Sequence, residues 1–184
     1  MRHVLLPVAL FCAMVFSGCA GYTWGTSVPV EYRKVSVPVF ENLTAVSEIG
    51  SIVTQYTLRE FQREGTFRIV RPGESAIEVQ GTLRSKSLGG ISFDRGQGMR
   101  ESEYRYEIVA DVTFVDKRTG KVLLERKGIK GSTTVLTHDD LLTAQKNASF
   151  RVAADIARQI VNDALALPFP VAGTRSGAVE GIQK

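Results

Sequence analysis

The chain has 184 residues, enough for one domain with its own core, and 43% of them are apolar, which excludes a disordered or low-complexity protein. Lys and Arg number 23 against 19 Asp and Glu, for a net charge of +4. The two signs are mixed along the chain rather than gathered, so the charge balance gives no indication of nucleic-acid binding.

The first 18 residues differ from the rest. Arg2 and His3 make a short positive start, and Val4 to Phe16 carries no charge. That run has the layout of an export signal and is too short to span a bilayer comfortably. It ends in Phe16-Ser17-Gly18-Cys19, which resembles a lipobox: small residues admit the chain to a peptidase, and the thiol of the last residue takes the lipid. Residues 1–18 are therefore expected to be a lipoprotein signal peptide, with Cys19 the lipidation site. Cys12 would leave with the signal, so the mature chain would keep no free thiol, as suits an exported protein. An ordinary signal peptide cut nearby, leaving Cys19 free, is the alternative. Ala20 stands where Asp would favour inner-membrane retention, and by analogy with bacterial lipoprotein sorting this points to the outer membrane. Residues 19–33, rich in small residues and without a clear period, read as a lipidated tether.

Val35, Val37 and Val39 alternate as in a half-buried strand, and Pro38 within it belongs at an edge or facing away from a neighbour. Glu41 to Thr44 reads as a loop. Val46, Ile49, Ile52, Val53 and Tyr56 form the stripe of a helix that runs to about Glu64 and stops at Gly65. Phe67 to Val70 is a short strand and Arg71-Pro72-Gly73 a turn. Ile77, Val79, Gly81 and Leu83 alternate with polar residues in a cleaner strand. Leu88 to Arg100 is Gly-rich and basic and reads as a mobile connection. Tyr104, Tyr106, Ile108, Ala110, Val112 and Phe114 face one side of a long strand, Asp116 to Lys121 is a hairpin loop, and Val122 to Thr134 returns. Thr137 to Asp140 caps a second helix with a stripe from Leu142 through Gln145, Ser149, Val152, Ile156 and Ile160 to Leu167. Pro168 and Pro170 end it, and residues 169–184 read as a disordered tail.

This order predicts an α+β two-layer sandwich over residues 34–168, a mixed four-stranded sheet with two helices packed on one face.

The chemistry available is sparse. His138 is the single histidine outside the signal, and it stands among helix-capping residues beside Asp139 and Asp140, which cannot converge on one ion. No enzyme, metal site or cofactor is expected. Gly89-Gly90 and Gly96-Gln97-Gly98 lack the Lys-Ser/Thr of a phosphate loop. Lys86, Arg95 and Arg100 bracket this stretch, and their ammonium and guanidinium groups suit phosphates or carboxylates of an anionic ligand; a solvated basic loop is the alternative. Lys117, Arg118, Lys121, Arg126, Lys127 and Lys130 crowd the second hairpin. They suit anionic headgroups, an acidic partner, a solvated face or a blunted sheet edge.

Cys19 with Gly21-Tyr22, then Val37-Pro38-Val39-Phe40-Glu41-Asn42, Ile77-Glu78-Val79-Gln80-Gly81-Thr82-Leu83 and Glu103-Tyr104-Arg105-Tyr106-Glu107-Ile108, resembles the LPS-assembly lipoprotein LptE family. The resemblance runs to about Leu167; the family usually has Cys-Gly-Tyr, and here Ala20 intervenes. It implies an α+β lipoprotein on the periplasmic side of the cell outer membrane. There it would sit in the lumen of an LptD-type β-barrel, bind lipopolysaccharide partly through basic residues, and help insert it into the outer leaflet. Arg95 occupies the region the family uses for such contacts, with Lys86 and Arg100 nearby. A polar sheet face with Glu78, Gln80, Thr82 and Arg84 would suit a wet lumen, with its charges paired across strands or with the barrel wall. The Val-Pro-Val-Phe-Glu-Asn-Leu-Thr run also resembles lipoproteins that activate a peptidoglycan synthase and the curli-secretion type. Those continue as alternating strand-helix units, whereas here a long meander follows. Neither reading involves nucleic acid.

Overall fold

The computed structural model describes residues 28–94, 100–136 and 141–169. A 3-10 turn at Val30–Tyr32 leads into strand β1 (Lys34–Ser36), followed by β2 (Glu41–Asn42), helix α1 (Ile49–Glu64) and β3 (Arg68–Ile69). Three long strands come next, β4 (Ile77–Asp94), β5 (Arg100–Asp116) and β6 (Val122–Leu136), and helix α2 (Leu141–Leu165) closes the order.

The α+β class stands, but the sheet has six strands rather than four. Its order is β3-β1-β4-β5-β6, with β2 also on β4. Two of the six are two-residue strands: β2, on residues read as a loop, and β3, within the short strand expected at 67–70. β3 runs parallel to β1 on its outer side, and β1 and β2 both run parallel to β4, at Ile77–Glu78 and at Thr82–Leu83. β4, β5 and β6 form an antiparallel meander.

The break between β1 and β2 corrects the expected strand. Val35 is buried and Val37 half-buried, but Val39 is 71% exposed. Pro38 cannot donate to a ladder. The chain leaves β4 there and returns with Phe40, buried, in the inward place. The backbone N–H of Phe40 donates to Thr54 Oγ1 at 2.9 Å, fixing this crossing to α1.

Residues Glu41–Thr44 are strand and turn rather than loop. Asn42 Oδ1 accepts from Thr44 N at 3.0 Å and Asn42 Nδ2 donates to Val46 O at 2.8 Å. This side-chain turn occupies Val46 O, a backbone acceptor that a helix starting at Val46 would use. α1 therefore begins at Ile49, after Glu48 with φ 66°, rather than at Val46. It ends as expected: Gly65 takes φ 83° and its N–H donates to Phe61 O at 3.2 Å. Thr54 and Thr57 extend the buried stripe because their hydroxyls bond back to Gly50 O and Val53 O at 2.7 and 2.8 Å.

One core joins both helices to one face of the sheet, through Ile77, Val79, Leu83, Tyr106, Ile108, Val112 and Phe114 on the strands and Val53, Phe61, Val152, Ile156 and Ile160 on the helices. α2 lies so close to β6 that a Cβ at Gly131 would stand 2.7 Å from Val152 O. The segment read as tether contributes Val28 and Tyr32 to the core, and Phe169 packs on Tyr32 with ring centroids 5.1 Å apart. Leu142, placed in the stripe of α2, is 80% exposed. The capping residues at 137–140, the segment before Val28 with Cys12 and Cys19, and the tail after Phe169 lie outside the described residues. No described helix is long and apolar enough to cross a membrane.

Candidate functional site

Both helices finish at the end of the sheet where β1 and β3 begin, the base. The β4–β5 ladder runs on to Asp94 opposite Arg100, the tip. The Gly-rich connection is thus mostly strand, because antiparallel pairing of Leu88 with Tyr106 and Gly90 with Tyr104 carries the glycines into the sheet. β2 ends beside Leu83, so the upper part of β4 continues beyond its parallel neighbours.

A register shift between Leu83 and Ser85 decides where Lys86 points. Without it Lys86 would share the open face with Glu78, Gln80 and Arg84; the extra residue turns it to the helix side, opposite Ile108. There Lys86 Nζ donates to Gln145 Oε1 of α2 at 3.2 Å and stands 5.7 Å from the ring centroid of Tyr106. Tyr106 and Ser149 share a buried hydroxyl–hydroxyl bond of 3.0 Å, and Ser149 Oγ donates to Gln145 O at 3.0 Å. Lys86, Tyr106, Gln145 and Ser149 therefore form one connected set between ribbon and helix.

The three basic residues expected to bracket one loop are not gathered. Arg100 opens β5 opposite Asp94, eight positions beyond Lys86 on β4, or about 25 Å along the strand. Arg95 lies outside the described residues. Sequence reading missed the partners of Lys86, although Gln145, a polar residue inside an apolar stripe, was the visible signal. It also missed a groove of about 250 Å³ between Thr134–Leu136 of β6 and Ala144, Asn147, Ala148 and Arg151 of α2.

The open face carries paired charges, as expected. Arg84 meets Asp111 at 2.7 Å, Lys130 meets Glu107 at 3.5 Å and Lys117 meets Glu78 at 3.3 Å. The N–H of Gly128, at 2.8 Å, and the Arg84 guanidinium hold the Asp111 carboxyl below its ordinary value. Among the described residues no group of His, Cys, Asp and Glu could hold a metal ion.

The sequence model of LptE, described as lipopolysaccharide-assembly, matches residues 32–164. The chain belongs to the LptE family. No curated protein matches it. Solved structures share its fold. A Xanthomonas campestris protein has TM-score 0.53 at 11% identity, covering 76% of this chain and 89% of its own. A Chlamydia trachomatis protein has TM-score 0.53 at 8% identity, covering 73% and 96%. A minor lipoprotein from Acinetobacter baumannii has TM-score 0.50 at 14% identity, covering 73% and 94%. Membership in LptE gives the chain a role in lipopolysaccharide assembly.

Proposed function

We propose that this LptE-family protein is an outer-membrane lipoprotein, tethered through an acylated Cys19 on the periplasmic side. It fills and supports the lumen of an LptD-type β-barrel and helps lipopolysaccharide into the outer leaflet. The observation that carries the reading is the family match over residues 32–164. The open face supports it: a domain entering a polar lumen loses water from that face, and charges already paired across strands, such as Arg84 with Asp111, enter without being left alone. Lys86 on β4 and Arg100 at the tip, together with Arg95, would meet the phosphates of lipid A. The role requires binding and positioning rather than bond chemistry.

The test is identification of partners. Tagged protein is extracted from outer membranes in mild detergent and its companions are identified by mass spectrometry. A large β-barrel at near one-to-one ratio is the expected result. A penicillin-binding protein without a barrel would overturn the plug reading.

A further inference from the structure

We propose that the base of the domain is a docking surface for the anionic phospholipid headgroups of the leaflet that holds the acyl anchor; the proposal rests on the reading of Cys19 as the acylated residue. The structure divides the basic residues of the second hairpin into two groups. Arg126 is paired with Asp163 at 3.0 Å, Lys127 with Glu125 at 3.2 Å and Lys130 with Glu107 at 3.5 Å, all up the sheet. Lys117, Arg118 and Lys121 stay at the base, where β1, β3 and the turn after β3 add further cations.

Backbone hydrogen bonds tie these residues into one band. Arg68 N donates to Arg33 O at 2.6 Å, Ala76 N to Lys34 O at 2.9 Å, Lys117 N to Ala76 O at 2.9 Å and Asp116 N to Lys121 O at 2.9 Å. Lys34 and Arg68 are also direct neighbours across parallel strands. Lys34, Arg68, Arg71, Lys117, Arg118 and Lys121 are all exposed, whereas Glu31 and Glu74 are the exposed acids of the band. The remaining carboxylates there are buried or half-buried. Glu78 and Asp116 are buried beneath Lys117 and Arg118, and Glu64 accepts from the Thr66 hydroxyl and N–H at 2.6 and 2.9 Å. Lys117 is paired with Glu78 and Arg118 with Asp116, so the excess positive charge of the band comes from Lys34, Arg68, Arg71 and Lys121 against Glu31 and Glu74. Val30, 73% exposed in the turn at the chain's entry, adds an apolar contact of the kind that settles at a headgroup boundary.

Chain length says which surface meets this band. Cys19 precedes Val28 by nine positions, a reach of about 30 Å at full extension. The tip lies a further 60 Å or so away, along the 18 residues of β4. An acyl group on Cys19 thus keeps the base, rather than the tip, within about 30 Å of the bilayer, and an anionic surface within a Debye length attracts each exposed cation. At the rim of a barrel the same end would still face inner-leaflet headgroups.

The test uses the unacylated chain from Ala20 onward, which keeps the whole core from Val28 to Leu167. Co-sedimentation with phosphatidylcholine vesicles is compared with and without phosphatidylglycerol. The expected result is about tenfold tighter binding with phosphatidylglycerol, lost at high salt. The exposed substitutions Arg68→Glu, Arg71→Glu and Lys121→Glu together should abolish the preference, and Lys146→Glu on α2 should not. Circular dichroism checks that each variant is folded. No preference for phosphatidylglycerol, equal loss with Lys146→Glu, or binding only to lipopolysaccharide dispersions would overturn the proposal. The intact mass of protein extracted from envelopes reports acylation separately. An unmodified Cys19 would overturn the anchor reading, and failure on vesicles with Cys19 acylated would overturn the docking surface alone.

Discussion

The ring of Phe40 occupies the space that a side chain at Gly81 would need. A Cβ at position 81 would overlap three ring carbons of a buried side chain that has nowhere to retreat. Gly81→Ala should therefore destabilise the domain by about 1–3 kcal/mol, although alanine ordinarily suits a strand better than glycine. Phe40→Ala should cost about 3–5 kcal/mol by opening a cavity where β1, β2 and α1 meet. The double substitution should cost less than the sum of the two, because removing the ring removes the clash. Urea unfolding of the four proteins measures this, and strict additivity would contradict the packing described.

Tyr106 and Ser149 offer a second comparison, in which the two halves of one hydrogen bond differ in value. With Tyr106→Phe, the Ser149 hydroxyl keeps Gln145 O as its acceptor at 3.0 Å, so the loss should be about 0.5–1.5 kcal/mol. With Ser149→Ala, the buried Tyr106 hydroxyl loses the partner it has at 3.0 Å, and the loss should be about 1–3 kcal/mol. Denaturant midpoints of the two variants should fall in that order.

These relationships show where sequence reading succeeds and where it stops. The stripe of α1, its stop at Gly65 and the alternation from Tyr106 to Phe114 depend on residues close in the chain, so the pattern alone reveals them. The fate of Val39 depends on Gly81, far along the sequence, because the space there admits Phe40 and leaves Val39 outside. Lys86 shows the same limit at the candidate site. Its residue type suggested an anion ligand, but the register shift after Leu83 that turns it toward Gln145 arises from strand pairing and leaves no mark on local composition. Leu142 sits at helical spacing with the rest of its stripe, yet it stays exposed in the first turn of α2.

Asp116 should make stability depend on pH at the acid end. Burial alone would raise its carboxyl, but the N–H of Arg118 at 2.9 Å, the Thr119 hydroxyl and the Arg118 charge outweigh burial and hold it below the ordinary 3.8. The folded state then binds fewer protons than the unfolded one near that value. The contribution of Asp116 is complete above 3.8 and is lost as pH falls through the folded value. Asp116→Asn should cost about 1–3 kcal/mol at neutral pH, and its deficit against the parent should narrow below about pH 4. Thermal unfolding of both proteins across that range checks the sign; a deficit that widens in acid would reverse it.

Cys19→Ala removes the thiol on which the proposed tether depends. The precursor should remain in the inner membrane with its signal attached, and metabolic labelling with palmitate should find no acylated product. Normal maturation and outer-membrane fractionation of this variant would remove the lipobox reading.

Lipopolysaccharide binding can separate the tip of the ribbon from its middle. Lys86 is held by Gln145 and lies over Tyr106, so replacing it disturbs packing as well as charge. Lys86→Met should shift the unfolding midpoint and binding together. Arg100 opens β5 about 25 Å further along the ladder, and its reversal to Glu is combined with Arg95→Glu. Charge-assisted hydrogen bonds to phosphate contribute about 1.5–3 kcal/mol each, so this reversal should weaken binding at least tenfold with the unfolding midpoint unchanged. Titration of the purified variants with lipopolysaccharide measures both effects. Binding that survives the reversal at the tip but falls with Lys86→Met would move the ligand contact to the Lys86–Gln145 set, and binding that survives both would take it off the ribbon.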